Sequence, residues 1–168
     1  GRNLAEASAP RYLETKNGRV ALISVSTSFK DPMLAGEQSP RVPGRPGVNG
    51  LRKEKHLELP KKDLEIIRRI ASETGINAEM EIYRKEGYYA EVPENEAVLG
   101  DLRFLEGDTP KYVIRLNESD IQRVEKAIYE AKLQADYIMV SVHSHEISGD
   151  KKENPSEFLV DLAHRCID

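Results

Sequence analysis

An apolar run, Tyr137-Ile-Met-Val-Ser-Val, ends abruptly in His143-Ser-His145-Glu146. Two imidazoles and a carboxylate are the nitrogen and oxygen donors that borderline divalent metals take. In an extended segment His143 and His145 point the same way and could share an ion, whereas in a turn only one faces the site. The competing reading is a polar loop cap whose imidazoles hydrogen-bond the main chain. A second candidate is Arg41-Val-Pro-Gly44-Arg45-Pro-Gly47-Val-Asn49-Gly50. Glycines let backbone N–H groups approach an anion, and guanidinium groups bind phosphate or carboxylate. It is no P-loop, because the Gly-Lys-Ser/Thr ending is absent and Pro40, Pro43 and Pro46 each remove a donor. A rigid surface loop is the alternative there.

The remaining candidates read as structural. His164 follows Asp161 by three residues in a helical pattern and reads as a surface or boundary histidine, and His56 sits in the charged stretch Arg52-Lys-Glu-Lys and reads as solvated. Cys166 shares an apolar face and reads as a buried thiol rather than a nucleophile. Glu94, Glu96, Asp101 and Asp108 read as solvated loop charges, and no Ser-His-Asp arrangement follows from the spacing.

The elements that must carry these groups are legible in outline. Residues 137–142 predict a buried strand, and polar groups at a strand's carboxyl end lie where open α/β sheets place ligands. Asn17-Gly18 predicts a hairpin within Arg11 to Ser26. Four glycines and three prolines between Gly36 and Gly50 demand an extended loop. Pro60 to Glu73 predicts a helix stopped by Gly75. Residues 76–98 show no sustained period and read as an irregular excursion. Leu102 to Leu105 and Tyr112 to Leu116 predict a second hairpin. Asp120 to Gln134 predicts a helix capped by Ser119 and Gln122, with Ile121, Val124, Ile128 and Ala131 in one stripe. Asn154-Pro155-Ser156-Glu157 starts a last helix with Leu159, Leu162, Ala163 and Cys166 on one face. This order indicates mixed α/β architecture in a single domain.

Composition narrows the class. The chain has 168 residues, 39% hydrophobic and 32% charged, with 25 basic and 29 acidic side chains for a net charge of −4. A mildly acidic chain without Trp or a basic block gives no support for nucleic-acid binding. One cysteine excludes an intrachain disulfide and a Cys-based zinc cluster. There is no membrane-spanning run and no signal pattern. The start at Gly1 rather than Met suggests a segment of a longer protein, with any signal or membrane attachment belonging to other parts.

Several segments, in order, resemble the bacterial poly-gamma-glutamate capsule biosynthesis proteins of the CapA type, in the calcineurin-like metallophosphoesterase superfamily. They are Asn3-Leu-Ala-Glu-Ala, Gly18-Arg-Val-Ala-Leu-Ile-Ser-Val with Ser28-Phe29, Gly44-Arg-Pro-Gly-Val-Asn49, Ala135 through Glu146, and Pro155 through Asp168. The resemblance implies part of a sandwich of mixed β-sheets flanked by helices. It implies divalent ions (manganese, zinc or iron) that activate water and polarise a phosphoryl or carbonyl group. In that reading His143 is a metal ligand, and His145 and Glu146 are catalytic. Arg45, Gly47 and Asn49 bind an anionic polymer or phosphoester.

The family's Trp-Gly after the first histidine is replaced here by Ser144-His145. Its Asp-containing strand end, Asn-x-His and Gly-His-x-Pro-His segments do not occur, so the isolated segment is expected to be inactive and to supply one metal-ligand cluster and the Arg loop but not the whole two-ion centre. The resemblance implies the cell envelope, extracytoplasmic and membrane-associated. A non-catalytic module for polymer assembly or export, and a phosphoesterase of an unrelated small substrate, are the alternatives. A homodimer through an exposed sheet edge is a further expectation.

Overall fold

The structure is a computed structural model and describes residues 1–167. Where the sequence reads as one domain, the chain divides into two compact units, one made of residues 1–53 and the stretch from 116 onward, the other of Glu54–Arg115.

The first unit is built on a mixed three-stranded sheet. Strands β1 (Arg11–Thr15) and β2 (Gly18–Ser26) form the expected hairpin. Thr15 pairs with Gly18, so Lys16 and Asn17 make the turn and Gly18 takes the positive φ of 126° that follows it. Strand β7 (Tyr137–His143) lies parallel to β2 in the order β1-β2-β7. One face of β2, carrying Ala21, Ile23 and Val25, packs under helix α4 (Glu118–Lys132) and Leu162 of helix α5 (Glu157–Ile167). The α4 stripe falls as the periodicity requires, with Ile121, Val124, Ile128 and Ala131 all buried and Ala127 added.

Three expectations change in this unit. The α4 cap is Asn117, whose side-chain oxygen accepts from the Asp120 N–H at 3.2 Å, and not Ser119. An Asn two residues earlier offers the stronger cap, and Ser119 donates to it instead, at 2.6 Å. Strand β7 is not buried on both faces: it is at the edge of its sheet, and Tyr137 and Met139 are 59% and 58% exposed. In-register Leu22 is exposed beside Met139, so this face of the sheet is the open one. In α5 the buried positions are Phe158 and Leu162, with Cys166 half-buried and Ala163 exposed.

The loop after β2 runs as an extended ladder of single bridges, Leu34 with Val48, Gly36 with Arg45 and Ser39 with Val42. It folds against a short helix α1 (Leu4–Ser8), capped by Asn3 through a 2.9 Å bond from the Glu6 N–H. Gly47 is required there. A β-carbon on it would come within 2.4 Å of the Ala35 nitrogen.

The second unit carries a mixed four-stranded sheet in the order β4-β5-β3-β6, from β3 (Lys53–Leu59), β4 (Glu96–Leu99), β5 (Leu102–Glu106) and β6 (Lys111–Leu116). Helix α2 (Lys61–Thr74) ends at Gly75, which adopts φ 65°, as predicted from its position. Leu64 of α2, Ala97 and Phe104 form the core of this unit.

Here too the sequence reading is corrected. Strands β5 and β6 do not pair as a hairpin, because β3 lies between them. Strand β5 pairs antiparallel with β4 through Gly100 and parallel with β3. The stretch 76–98 is not irregular throughout, since it contains helix α3 (Ala78–Lys85). The charged run that made His56 look solvated is the strand β3, which alternates its faces and buries His56 to 6% exposure.

Candidate functional site

Because β2 and β7 are parallel and in register, Ser26 opposite His143, their carboxyl ends reach one edge of the sheet together. The Thr27 N–H donates to the His143 carbonyl at 2.9 Å and carries the pairing one residue further. The chain then turns, and the His145 N–H donates to Ser28 Oγ at 2.9 Å. The turn brings the two imidazoles together, with ring centroids 4.7 Å apart and planes at 70°. Both histidines are exposed.

Glu146 points the other way, into a hydroxyl cluster. Its Oε2 accepts from Thr27 Oγ1 at 2.8 Å, Ser144 Oγ at 2.7 Å and Ser28 Oγ at 3.2 Å. Its Oε1 is ion-paired with the Lys53 ammonium, both side chains being largely buried. The carboxylate therefore makes no contact with either imidazole in these bonds, and it fixes the turn that presents them. Thr27, Ser28 and Lys53 were not among the candidate site residues of the sequence. Ser26-Thr-Ser, the polar end of a predicted strand, was the available signal.

His143 lines a hollow of about 440 Å³ together with Ser24, Ser26, Phe29, Gly47 and Asn49. The structure thus brings three of the sequence-predicted site residues, His143, Gly47 and Asn49, to one cavity. Arg45, His145 and Glu146 are not among its lining residues. The Arg45 guanidinium instead donates to the main-chain carbonyls of Leu34 at 3.0 Å and Asp31 at 3.3 Å, bracing the turn before the glycine loop. Asn49 is a buried clamp. Its Nδ2 donates to the Ser24 carbonyl and its Oδ1 accepts from Arg123 Nε, both at 3.1 Å.

Behind Asn49 lies a buried charge network that the sequence did not disclose. Asp120, 1% exposed, accepts from the Arg52 N–H at 2.9 Å, from Arg52 Nε and Nη2 at 2.8 Å, and from Arg123 Nη1 at 2.7 Å. Burial pushes its carboxyl up, but the hydrogen bonds from Arg52 and Arg123 outweigh burial and hold it at about 2. Arg123 also donates to the Gly50 carbonyl at 2.8 Å, so Asp120 anchors one wall of the hollow through α4.

Two imidazoles fit part of a divalent metal's shell, since their rings are close enough to bring two nitrogens to one ion. With Glu146 held by Lys53 and the hydroxyls, the described residues contain no group of three or more His, Cys, Asp or Glu side chains able to hold a metal. Further donors would have to come from groups outside those residues.

Mixed sheets flanked by helices, with polar groups at the carboxyl ends of parallel strands, define an α/β protein consistent with a metallophosphoesterase-like sandwich. The chain belongs to the family described as bacterial capsule synthesis protein PGA_cap, whose model matches residues 1–168. It is also 31% identical over 172 residues to each of two uncharacterized proteins, y4sH and y4uA, of Sinorhizobium fredii (strain NBRC 101917 / NGR234). Each alignment takes in 100% of this chain and 34% of the relative, so the chain spans about a third of the length of the curated relatives it matches.

Proposed function

We propose that this segment contributes one ligand-bearing edge to a metal-dependent hydrolase of capsule synthesis, with His143 and His145 as donors to one divalent ion. The observation that carries the reading is the paired imidazoles at the joint carboxyl ends of β2 and β7, one of them opening on the hollow lined by Gly47 and Asn49. The chemistry such an ion supplies when bound is Lewis-acid polarisation of a phosphoryl or carbonyl oxygen. This chain's own part is positional. Glu146, clamped by Lys53 and the hydroxyls, holds the turn, and His143 faces the cavity in which a phosphoester or anionic polymer would lie.

The longer protein containing this segment should turn over an aryl phosphate with added manganese, and His143→Ala should abolish that turnover. Unchanged turnover in His143→Ala removes this imidazole from the mechanism.

A non-catalytic assembly module is the second reading. It is favoured by the engagement of Glu146 with internal partners, which leaves two imidazoles as the donor set of this turn. Under it, the same protein binds capsule polymer with no hydrolysis at any added metal. Capsule synthesis is envelope work, and among the described residues no helix is long and apolar enough to cross a membrane.

A further inference from the structure

The second unit has a cleft of its own, of about 650 Å³, between helices α2 and α3 and the segment 91–98. Asn77 fixes its frame by donating to the Val98 carbonyl at 2.6 Å and accepting from the Gly100 N–H at 3.0 Å. Arg68 closes one end, donating to the main-chain carbonyls of Glu94 and Glu96. The Glu96 carboxylate on the same wall is already held by Arg103 at 2.7 and 2.8 Å.

Three further cations line the cleft, Lys61, Arg84 and Lys85. None of them has a carboxylate partner among the described residues; the ion pairs of this unit use other cations, Arg103 and Arg115 among them. Arg84 Nε is buried and has no hydrogen-bond partner. Buried N–H groups nearly always have an acceptor, and the planar fork of a guanidinium matches a carboxylate or phosphate. The unpaired ammonium groups of Lys61 and Lys85, also lining the cleft, add attraction for the same charge. Glu81, Glu91 and Glu94 also line the cleft, which selects against a bare anion and for a ligand that carries hydrogen-bond donors as well.

We propose that this cleft is a binding site for an oxyanion, carboxylate or phosphate, seated on Arg84 and borne by a small ligand that also carries an ammonium or amide donor. The site lies wholly within the second unit and does not depend on the histidine pair.

The test is a titration of the 168-residue chain, followed by amide NMR at low salt, with L-glutamate and phosphoethanolamine as the carboxylate and phosphate probes. Saturation by either probe at about 1 mM or below, with shifts centred on residues 81–98, is expected and tells the two chemistries apart. Arg84→Gln should weaken that binding about tenfold or more, and Arg84→Lys should recover only part of it. Because Arg84 is half-buried, the spectrum of Arg84→Gln also reports its fold, and the exposed Lys85→Gln provides an independent arm with a severalfold loss expected. No saturation by either probe at about 10 mM overturns the proposal. So does wild-type affinity in Arg84→Gln, or in Lys85→Gln should Arg84→Gln not fold.

Discussion

Replacing Asp120 by Asn keeps the size and shape of the side chain and removes its charge. The native carboxylate takes four hydrogen bonds, three from Arg52 and one from Arg123. An amide offers one acceptor oxygen and turns N–H donors toward two guanidinium groups, so two of those bonds become donor against donor. Breaking a buried pair in this way is expected to cost about 3 kcal/mol at neutral pH.

Much of that cost depends on pH. A carboxyl held at about 2 in the folded chain, against an ordinary 3.8, contributes about 2 kcal/mol of stability. The folded value is the lower one, so this contribution is complete above about pH 5 and declines as pH falls through 4 toward 2. About half should be lost by pH 3. Urea unfolding of wild type and Asp120→Asn at pH 6, 5, 4 and 3 measures it. Glu96 and Glu118, both held low by Arg103 and Arg165, titrate equally in the two proteins and cancel in the difference. The stability gap should narrow by about 1 kcal/mol between pH 6 and pH 3. A gap that stays constant over that range, or one well under 1 kcal/mol at pH 6, refutes the assignment of Asp120 as the anchored charge.

Other consequences are as direct. Lys53→Met strands the largely buried Glu146 carboxylate and should destabilise the first unit by about 3 kcal/mol, while adding Glu146→Gln should recover much of the loss; additive losses in urea melts would argue against the pair. Gly47→Ala must push its β-carbon off the Ala35 nitrogen, so the 440 Å³ hollow should change shape and the protein should lose about 1–3 kcal/mol; a wild-type midpoint in thermal melts would contradict the close approach. Leu64→Ala empties a position with 0% exposure and should cost about 2–5 kcal/mol, read as faster hydrogen exchange in α2 and β4. Cys166 should react slowly with a disulfide reagent at neutral pH, because burial raises its thiol; labelling as fast as that of a free thiol would show the helix face to be open.

Local rules were enough for the parts whose physics is local. The α4 stripe, the αL stop at Gly75 and the β1–β2 hairpin follow from spacing, turn chemistry and side-chain shape within a few residues. So does the strand at 137–143 that ends in His143. The sequence reading failed where a distant strand decides the outcome. The run Lys53-Glu-Lys-His56 carries no apolar alternation to mark it as a strand, yet it opens β3 between β5 and β6, with His56 buried. The β5–β6 hairpin failed for the same reason, since pairing order is a non-local quantity.

The candidate site divides along the same line. Residue types and one strand end nominated His143, Gly47 and Asn49, and parallel registry of β2 with β7 brings them to one hollow. Nothing in the spacing foretold that Arg45 would spend its guanidinium on the carbonyls of Leu34 and Asp31, or that Glu146 would turn to Lys53. By itself, then, the chain's order of residues determined its local elements and the chemical inventory of the site. Tertiary structure decided which of those groups stay open and which are taken up internally, because a charged side chain takes the partner that packing puts nearest, however far away that partner lies in sequence.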